Sequence, residues 1–331
     1  MKNKLILLDG HSTVGKSSIS KSVFEQLLKN SSDRAENIYQ NQYIGNAEFV
    51  WVHEECDKHP IRESEINMAD IHTAEGMEIN RRELLTRWKR LAKEITKSEK
   101  IYIMEGCLLH MMDRFLLESV WTSEQIEEFY LQIMKIIEHL NPFIIFLYRP
   151  NIQKSFEEAF EARGDWWREL VLGEQEPYGY FENHVYSGKD SIFAGINYEQ
   201  NEMIKIYDLL PCRKMKLDTS FKDWRKYTAE IIEAMGYQYA EVTEKVFIPS
   251  DYIGTYTLLN SEDTWKIGYD ETAKSMYASI FWPYMPLQYC GQNAFTMISF
   301  PVKIQFDADL QSFKVSGNYE WKYNGKRFLR T

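Results

Sequence analysis

Long apolar runs are missing from this chain. No window approaches the roughly 18 apolar residues that a membrane-spanning helix needs, and only four consecutive apolar residues precede Asp9, too few for the core of a secretory leader. A soluble, cytoplasmic protein with no membrane partner is expected. Paired cysteines are missing too: Cys56, Cys107, Cys212 and Cys290 are scattered without a CxxC spacing, which argues against a zinc site or disulfide framework and for reduced thiols. There is no basic excess. The formal net charge is -10 and no basic tail or stripe interrupts it, so nucleic acid is not an expected partner. Low-complexity segments, internal repeats and a switch motif such as NKxD are also absent.

What remains is a globular composition, 44% hydrophobic and 27% charged, able to bury a substantial core. At 331 residues the chain exceeds what one core usually serves, so two domains are expected. Residues 5–8 read as a buried strand and 17–28 as a helix, with Ile19, Val23, Leu27 and Leu28 on its apolar face. Residues 47–53, 101–104, 142–148 and 215–217 read as further strands. Between and after them lie helical stretches at 62–97, 123–140 with a cap at Ser123, 152–172 interrupted by Gly164, and 221–235, where Ser220 with Asp223 resembles a capping box. Strands alternating with helices imply a parallel sheet with right-handed crossovers.

From about residue 246 the pattern changes to short, aromatic, alternating runs near 252–256, 264–269, 275–281, 295–304 and 313–323. The expected fold is therefore α/β over 1–240, followed by a small all-β, barrel-like domain over 246–331.

The first strand runs into Gly10-His11-Ser12-Thr13-Val14-Gly15-Lys16-Ser17, a GxxxxGK[ST] pattern without a gap, with Ser18 next. Its glycines let successive backbone N–H groups converge on a phosphate, and the following helix N-terminus adds partial positive charge. Lys16 is expected at the β- and γ-oxygens and Ser17 on Mg²⁺. The nucleotide is ATP or GTP; the residues do not choose. Glu105, at the C-terminal end of the third strand, stands at the edge where ligands collect in such sheets and is the second candidate for Mg²⁺, with Gly106 allowing close backbone approach.

These residues, the arginine-bearing helix after 143–148 and the Leu217-Asp218-Thr219-Ser220 turn together resemble the P-loop kinases of small molecules. That group includes nucleoside and nucleotide kinases and the chloramphenicol phosphotransferase type of antibiotic kinase. The resemblance covers about residues 1–236 and implies three things. A lid over about 150–200 would close an arginine, Arg163 before Arg168, over the transferred phosphate, with Gly164 as hinge. Asp218 and Thr219 would lie near the base. A carboxylate after the second strand, Glu54 or Glu55, would orient the attacking hydroxyl and accept its proton. Because alternate residues of a strand face opposite ways, only one of the two can serve, and Glu54 is favoured.

The pattern departs from thymidylate-kinase-like proteins in placing Asp113-Arg114 eight residues after Glu105. Residues 166–196 are also unusually aromatic and acidic, which would suit a bulky, cationic acceptor. The C-terminal runs loosely resemble lipocalin-like barrels, which could bind an apolar moiety, cover the active site or mediate a homodimer. The expected activity is phosphorylation of a small-molecule hydroxyl, an antibiotic or other natural product in one reading and a nucleoside or nucleotide in another. A reading of a different class is a nucleotide-binding sensor that signals through the β domain.

Overall fold

The computed structural model describes residues 3–31, 44–54, 56, 59–62, 69–110, 116–174, 189–241, 246–280, 282–297, 300, 302–317 and 323–331. Strands β1 (Leu5–Asp9), β3 (Phe49–Val52), β4 (Ile101–Glu105), β5 (Phe143–Tyr148) and β6 (Arg213–Asp218) form a parallel sheet in the order β3-β4-β1-β5-β6, with the two-residue β2 (Ile44–Gly45) antiparallel at one edge. Burial on both faces explains why β1, β3, β4 and most of β5 read as unbroken buried runs.

The two faces sort by the strand period of two. Leu5, Leu7, Val52 and Met104 face a core built with α2 (Ala74–Lys97), α3 (Ser123–Ile137) and α6 (Lys189–Leu209). Ile6, Leu8, Trp51 and Ile103 face the opposite core, built with α1 (Lys16–Asn30), α4 (Ile152–Arg163), α5 (Asp165–Glu174) and α7 (Trp224–Ala234). No helix among the described residues is long and apolar enough to cross a membrane.

Two helix starts differ from expectation. The α3 cap is Thr122, not Ser123, because only from Thr122 does the third helical position fall on a residue that can reciprocate: Gln125 bonds the Thr122 backbone while Thr122 accepts from the Gln125 N–H. Helix α7 is capped by Asp223, not by Ser220, whose hydroxyl and N–H turn back to Asp218. Lys222, at φ 54, breaks the backbone between them. The break at Gly164 is observed, with α4 and α5 on either side. The sequence reading missed α6 altogether.

Eight strands, β7 (Gly254–Leu258), β8 (Thr264–Asp270), β9 (Ser275–Ser279), β10 (Met285–Gly291), β11 (Ala294–Met297), β12 (Val302–Phe306), β13 (Ser312–Gly317) and β14 (Arg327–Arg330), pair each with the next and close as β14 pairs with β7. The sequence reading ran β11 and β12 together and missed β10 and β14. Tyr256, Trp265, Phe295, Phe306, Phe313 and Phe328 pack inside the barrel with ring centroids 4.5 to 5.9 Å apart. An eight-stranded barrel is just wide enough to be filled by side chains, and these rings pack in its interior.

Candidate active site

Asp9 ends β1 and is fully buried. Its carboxylate accepts from the N–H groups of Gly10 at 2.9 Å, Leu108 at 2.8 Å, Leu109 at 2.9 Å and His110 at 2.6 Å. One side chain therefore fixes the start of the glycine loop and the loop after β4 together. Nothing in the sequence says that residues 99 to 101 positions later will meet Asp9.

The loop then takes positive φ at Gly10 (140), Thr13 (73) and Gly15 (97). Gly10 admits no side chain, because a Cβ there would lie 2.1 Å from the Leu147 carbonyl oxygen on β5. Several contacts hold the loop from outside. His11 Nε2 lies 2.6 Å from Glu199 Oε2 on α6, Thr13 Oγ1 lies 2.7 Å from Ser155 Oγ on α4, and Thr219 Oγ1 donates to the Val14 carbonyl at 2.8 Å. A wrapped loop with positive φ at three residues, followed directly by the N-terminus of α1, is the kind of backbone that can favour an anion.

In front of this loop lies a cavity of about 670 Å³. Its wall carries Ser12, Thr13, Gly15, Lys16, Ser17 and Ser18 from the loop, and opposite them Glu54, Arg62 and His110. Lys16 is buried, donates to the His11 carbonyl at 3.2 Å and lies 3.8 Å from Glu54. Arg62 at 3.6 Å and His110 at 3.9 Å complete the ring of cations and imidazole around that carboxylate. Burial opposes the charge on Glu54, but the cations Lys16 and Arg62 outweigh it and hold the carboxyl well below the ordinary range. Burial, reinforced by Lys16, keeps the His110 ring well below its usual pKa.

His53 and Glu54 turn to different neighbours. His53 is buried with Nε2 3.9 Å from Glu105, whereas Glu54 faces the cavity. Glu105 is fully buried, and burial raises its pKa despite His53 and two serines. Ser17 Oγ donates to its Oε1 at 2.6 Å and Ser20 Oγ donates to its Oε2. Since the Ser17 proton points back at Glu105, the lone pairs of Oγ remain for the cavity. Such oxygen donors suit Mg²⁺, which takes one or two protein ligands and completes its shell with water and phosphate. That habit is compatible with a further observation: among the described residues no three His, Cys, Asp or Glu side chains cluster to hold a metal ion.

The parallel sheet with its loop between β1 and α1 is compatible with a P-loop fold. No family model matches the chain, and no curated protein matches it. The solved structure of YorR protein from Bacillus subtilis, in complex with phosphorylated GDP, is similar over 70% of this chain and 95% of that chain, at 13% identity and a TM-score of 0.36. The chemistry of the site rests on its own residues.

The stretch expected as a lid, 150–200, is α4, α5 and the start of α6, with residues 175–188 outside those described. Arg163, at the end of α4, lines the cavity; Arg168 does not, and instead donates to Asp165 at 2.7 Å. Arg163 packs against two indoles, its Cζ 4.3 Å from the Trp167 centroid and 4.5 Å from that of Trp282, contacts each worth about 0.5–2 kcal/mol. Burial lowers its pKa to about 10. Thr219 props the loop from behind, and Asp218 is engaged by Ser220. From the same turn it is Lys222 and Trp224 that reach the cavity, and Trp224 closes on Gly15 so tightly that a Cβ there would lie 2.6 Å from its ring. Glu55 and the Asp113-Arg114 pair fall outside the described residues.

Sequence reasoning also passed over Arg62 and Arg149. Arg149 follows β5, is buried, and donates to Ser155 at 2.8 Å while lying 3.4 Å from Glu158, both residues lining the cavity beside it. The signal for it was present, a cation at the C-terminal end of a central strand.

Proposed function

We propose that the chain is a kinase that uses ATP or GTP with Mg²⁺ to phosphorylate a hydroxyl group of a small molecule. One observation carries this reading, an inversion of charge at the cavity. In a chain of net charge -10, the cavity beside the glycine loop is lined, among the described residues, by the cations Lys16, Arg62, Arg149, Arg163 and Lys222 against only Glu54 and Glu158. Cations converging on amides that already favour anions match a polyphosphate and the charge that spreads over a transferring phosphoryl group.

In this reading the loop amides and Lys16 hold the β- and γ-phosphates, and Lys222 and Trp224 meet the nucleoside in place of Asp218 and Thr219. Ser17, backed by Glu105, would hold the metal, which would supply positive charge against the phosphates. Glu54, kept ionised by its neighbours, orients the acceptor hydroxyl. Proton transfer in a loose transition state comes late, so a weakly basic carboxylate suffices. Arg163 supplies charge from the lid side.

The acceptor is an antibiotic or other natural product, or a nucleoside or nucleotide. Labelled ATP and GTP, each offered with panels of both kinds, test the assignment: transfer is expected to one class and to vanish in Lys16→Ala. Absence of transfer from either nucleotide to every acceptor, with no heat of nucleotide binding, removes the reading. A sensor reading draws on the barrel residues Trp282 and Phe300 in the cavity wall; its signature is nucleotide-dependent partner binding without transfer.

A further inference from the structure

The barrel supplies part of the cavity. Trp282, between β9 and β10, rests on the barrel core with its ring centroid 5.3 Å from that of Phe300, and both rings line the cavity in front of the glycine loop. Beside them, Gly164 at φ 80 would bring a Cβ within 3.3 Å of Pro283, so the break between α4 and α5 lies directly against the barrel. The residue before that break is Arg163.

A guanidinium presents two apolar faces and five in-plane N–H donors, and it is weakly hydrated across those faces. Two indoles pack on the Arg163 guanidinium, Trp167 from α5 with its centroid 4.3 Å from Cζ and Trp282 from the barrel at 4.5 Å. Its N–H groups make no ion pair or hydrogen bond among the described residues. A cation held by two indoles, with its N–H donors unspent and its side chain lining the cavity, is preorganised for an anion that arrives later.

We infer that Trp282 of the β-barrel is a positioning residue for phosphoryl transfer: with Trp167 it grips the Arg163 guanidinium and presents its N–H donors to an oxygen of the transferring phosphate. The inference rests on the kinase reading. The barrel is then one half of a clamp that the α/β domain cannot complete alone, and docking of the two domains becomes a condition for full activity.

The test needs no acceptor. In the full-length protein, the affinity of Mg·ADP and Mg·GDP is measured by calorimetry with and without aluminium fluoride, whose complex mimics a phosphoryl group in flight. The readout is the fluoride-dependent gain in affinity. Wild type is expected to show the gain, Trp282→Ala and Trp282→Leu to lose at least tenfold of it, and Trp282→Phe to keep at least half. In an Arg163→Ala background, Trp282→Ala is expected to change the gain by less than twofold, because Trp282 acts through Arg163. Thermal melting identifies any variant that fails to fold, and Trp282→Phe keeps the comparison interpretable. A full gain in Trp282→Ala or Trp282→Leu, an undiminished effect in the Arg163→Ala background, or diphosphate binding with no gain in wild type overturns the clamp and leaves the nucleotide reading standing. If wild type binds neither diphosphate, that reading itself falls, and the clamp with it.

Discussion

Ser17 Oγ donates to Glu105 Oε1 at 2.6 Å, tying the first turn of α1 to the end of β4 across 88 residues of sequence. The bond does two jobs. It satisfies one oxygen of a fully buried carboxylate, and it turns the serine lone pairs toward the cavity. Ser20 satisfies the other oxygen.

The first prediction concerns Glu105→Gln. The amide end of glutamine cannot accept from a serine, so one of the two hydroxyls loses its partner and the orientation of Ser17 loosens. Because partners behind a metal ligand typically affect affinity or activity 10- to 100-fold, Mg·ATP affinity is expected to fall by about tenfold or more. Affinity for ATP in the presence of a chelator is expected to change far less. Calorimetry with and without Mg²⁺ checks this, and equal losses under both conditions would count against a metal role for the pair.

The two loop glycines differ in what surrounds them, which gives an ordering. A Cβ at Gly10 meets a backbone carbonyl of the central strand β5, while one at Gly15 meets the Trp224 ring, a side chain that can move. Both positions also carry positive φ, a strain of about 1–3 kcal/mol for a non-glycine residue. Gly10→Ala is therefore expected to destabilise the fold by more than about 3 kcal/mol, and Gly15→Ala by less. Urea denaturation of the two variants tests the order, and Gly15→Ala as the costlier change contradicts it.

How much was legible in the sequence follows from how local each signal is. The glycine loop, Lys16 and Ser17 sit in one unbroken motif between a buried strand and a helix, so they could be read directly. Glu54 and Glu105 could be placed because strand ends in a parallel sheet share an edge. The partners of these residues could not. Asp9 finds its donors at 108–110, His11 finds Glu199 on a helix that went unread, and Arg163 is held by Trp282 from the other domain. Strand β14 (Arg327–Arg330) was hidden because four residues with an arginine at each end resemble a solvated tail until β13 and β7 flank them. Capping positions slipped by one to three residues, since side-chain reciprocity, rather than residue type alone, decides them.

His59 gives a pH dependence. The ring is buried, with Nδ1 accepting from the N–H groups of Ile61 at 3.1 Å and Arg62 at 2.9 Å, and burial, aided by Arg62, lowers its pKa from the ordinary 6.5 to about 3. Between those values the unfolded chain binds a proton that the folded chain refuses. Stability is therefore fully present above pH 6.5 and is lost as pH falls toward 3, by at most about 1.4 kcal/mol per unit from this group. In His59→Asn the side-chain oxygen can accept from the same two N–H groups, as in an Asx turn, and nothing titrates. Its stability is expected to depend less steeply on pH between 6.5 and 4 in parallel denaturant titrations, and an unchanged slope rules His59 out as a source of acid lability.

Asp9 offers the severest test of the framework around the cavity. Its Oδ1 accepts from Gly10 and His110 and its Oδ2 from Leu108 and Leu109. In Asp9→Asn the fit remains nearly isosteric, but one oxygen becomes an amide donor facing two N–H groups. Two buried donors then lose their acceptor, each at about 1–3 kcal/mol, so a loss of about 3 kcal/mol or more is expected. The loop at 108–110 is expected to move away from β1, taking His110 from the neighbourhood of Glu54. Hydrogen exchange separates this account from general destabilisation: the amides of Leu108, Leu109 and His110 are expected to lose protection out of proportion to those of β4. Uniform loss across both segments means that Asp9 holds the sheet as a whole and has no special hold on this loop.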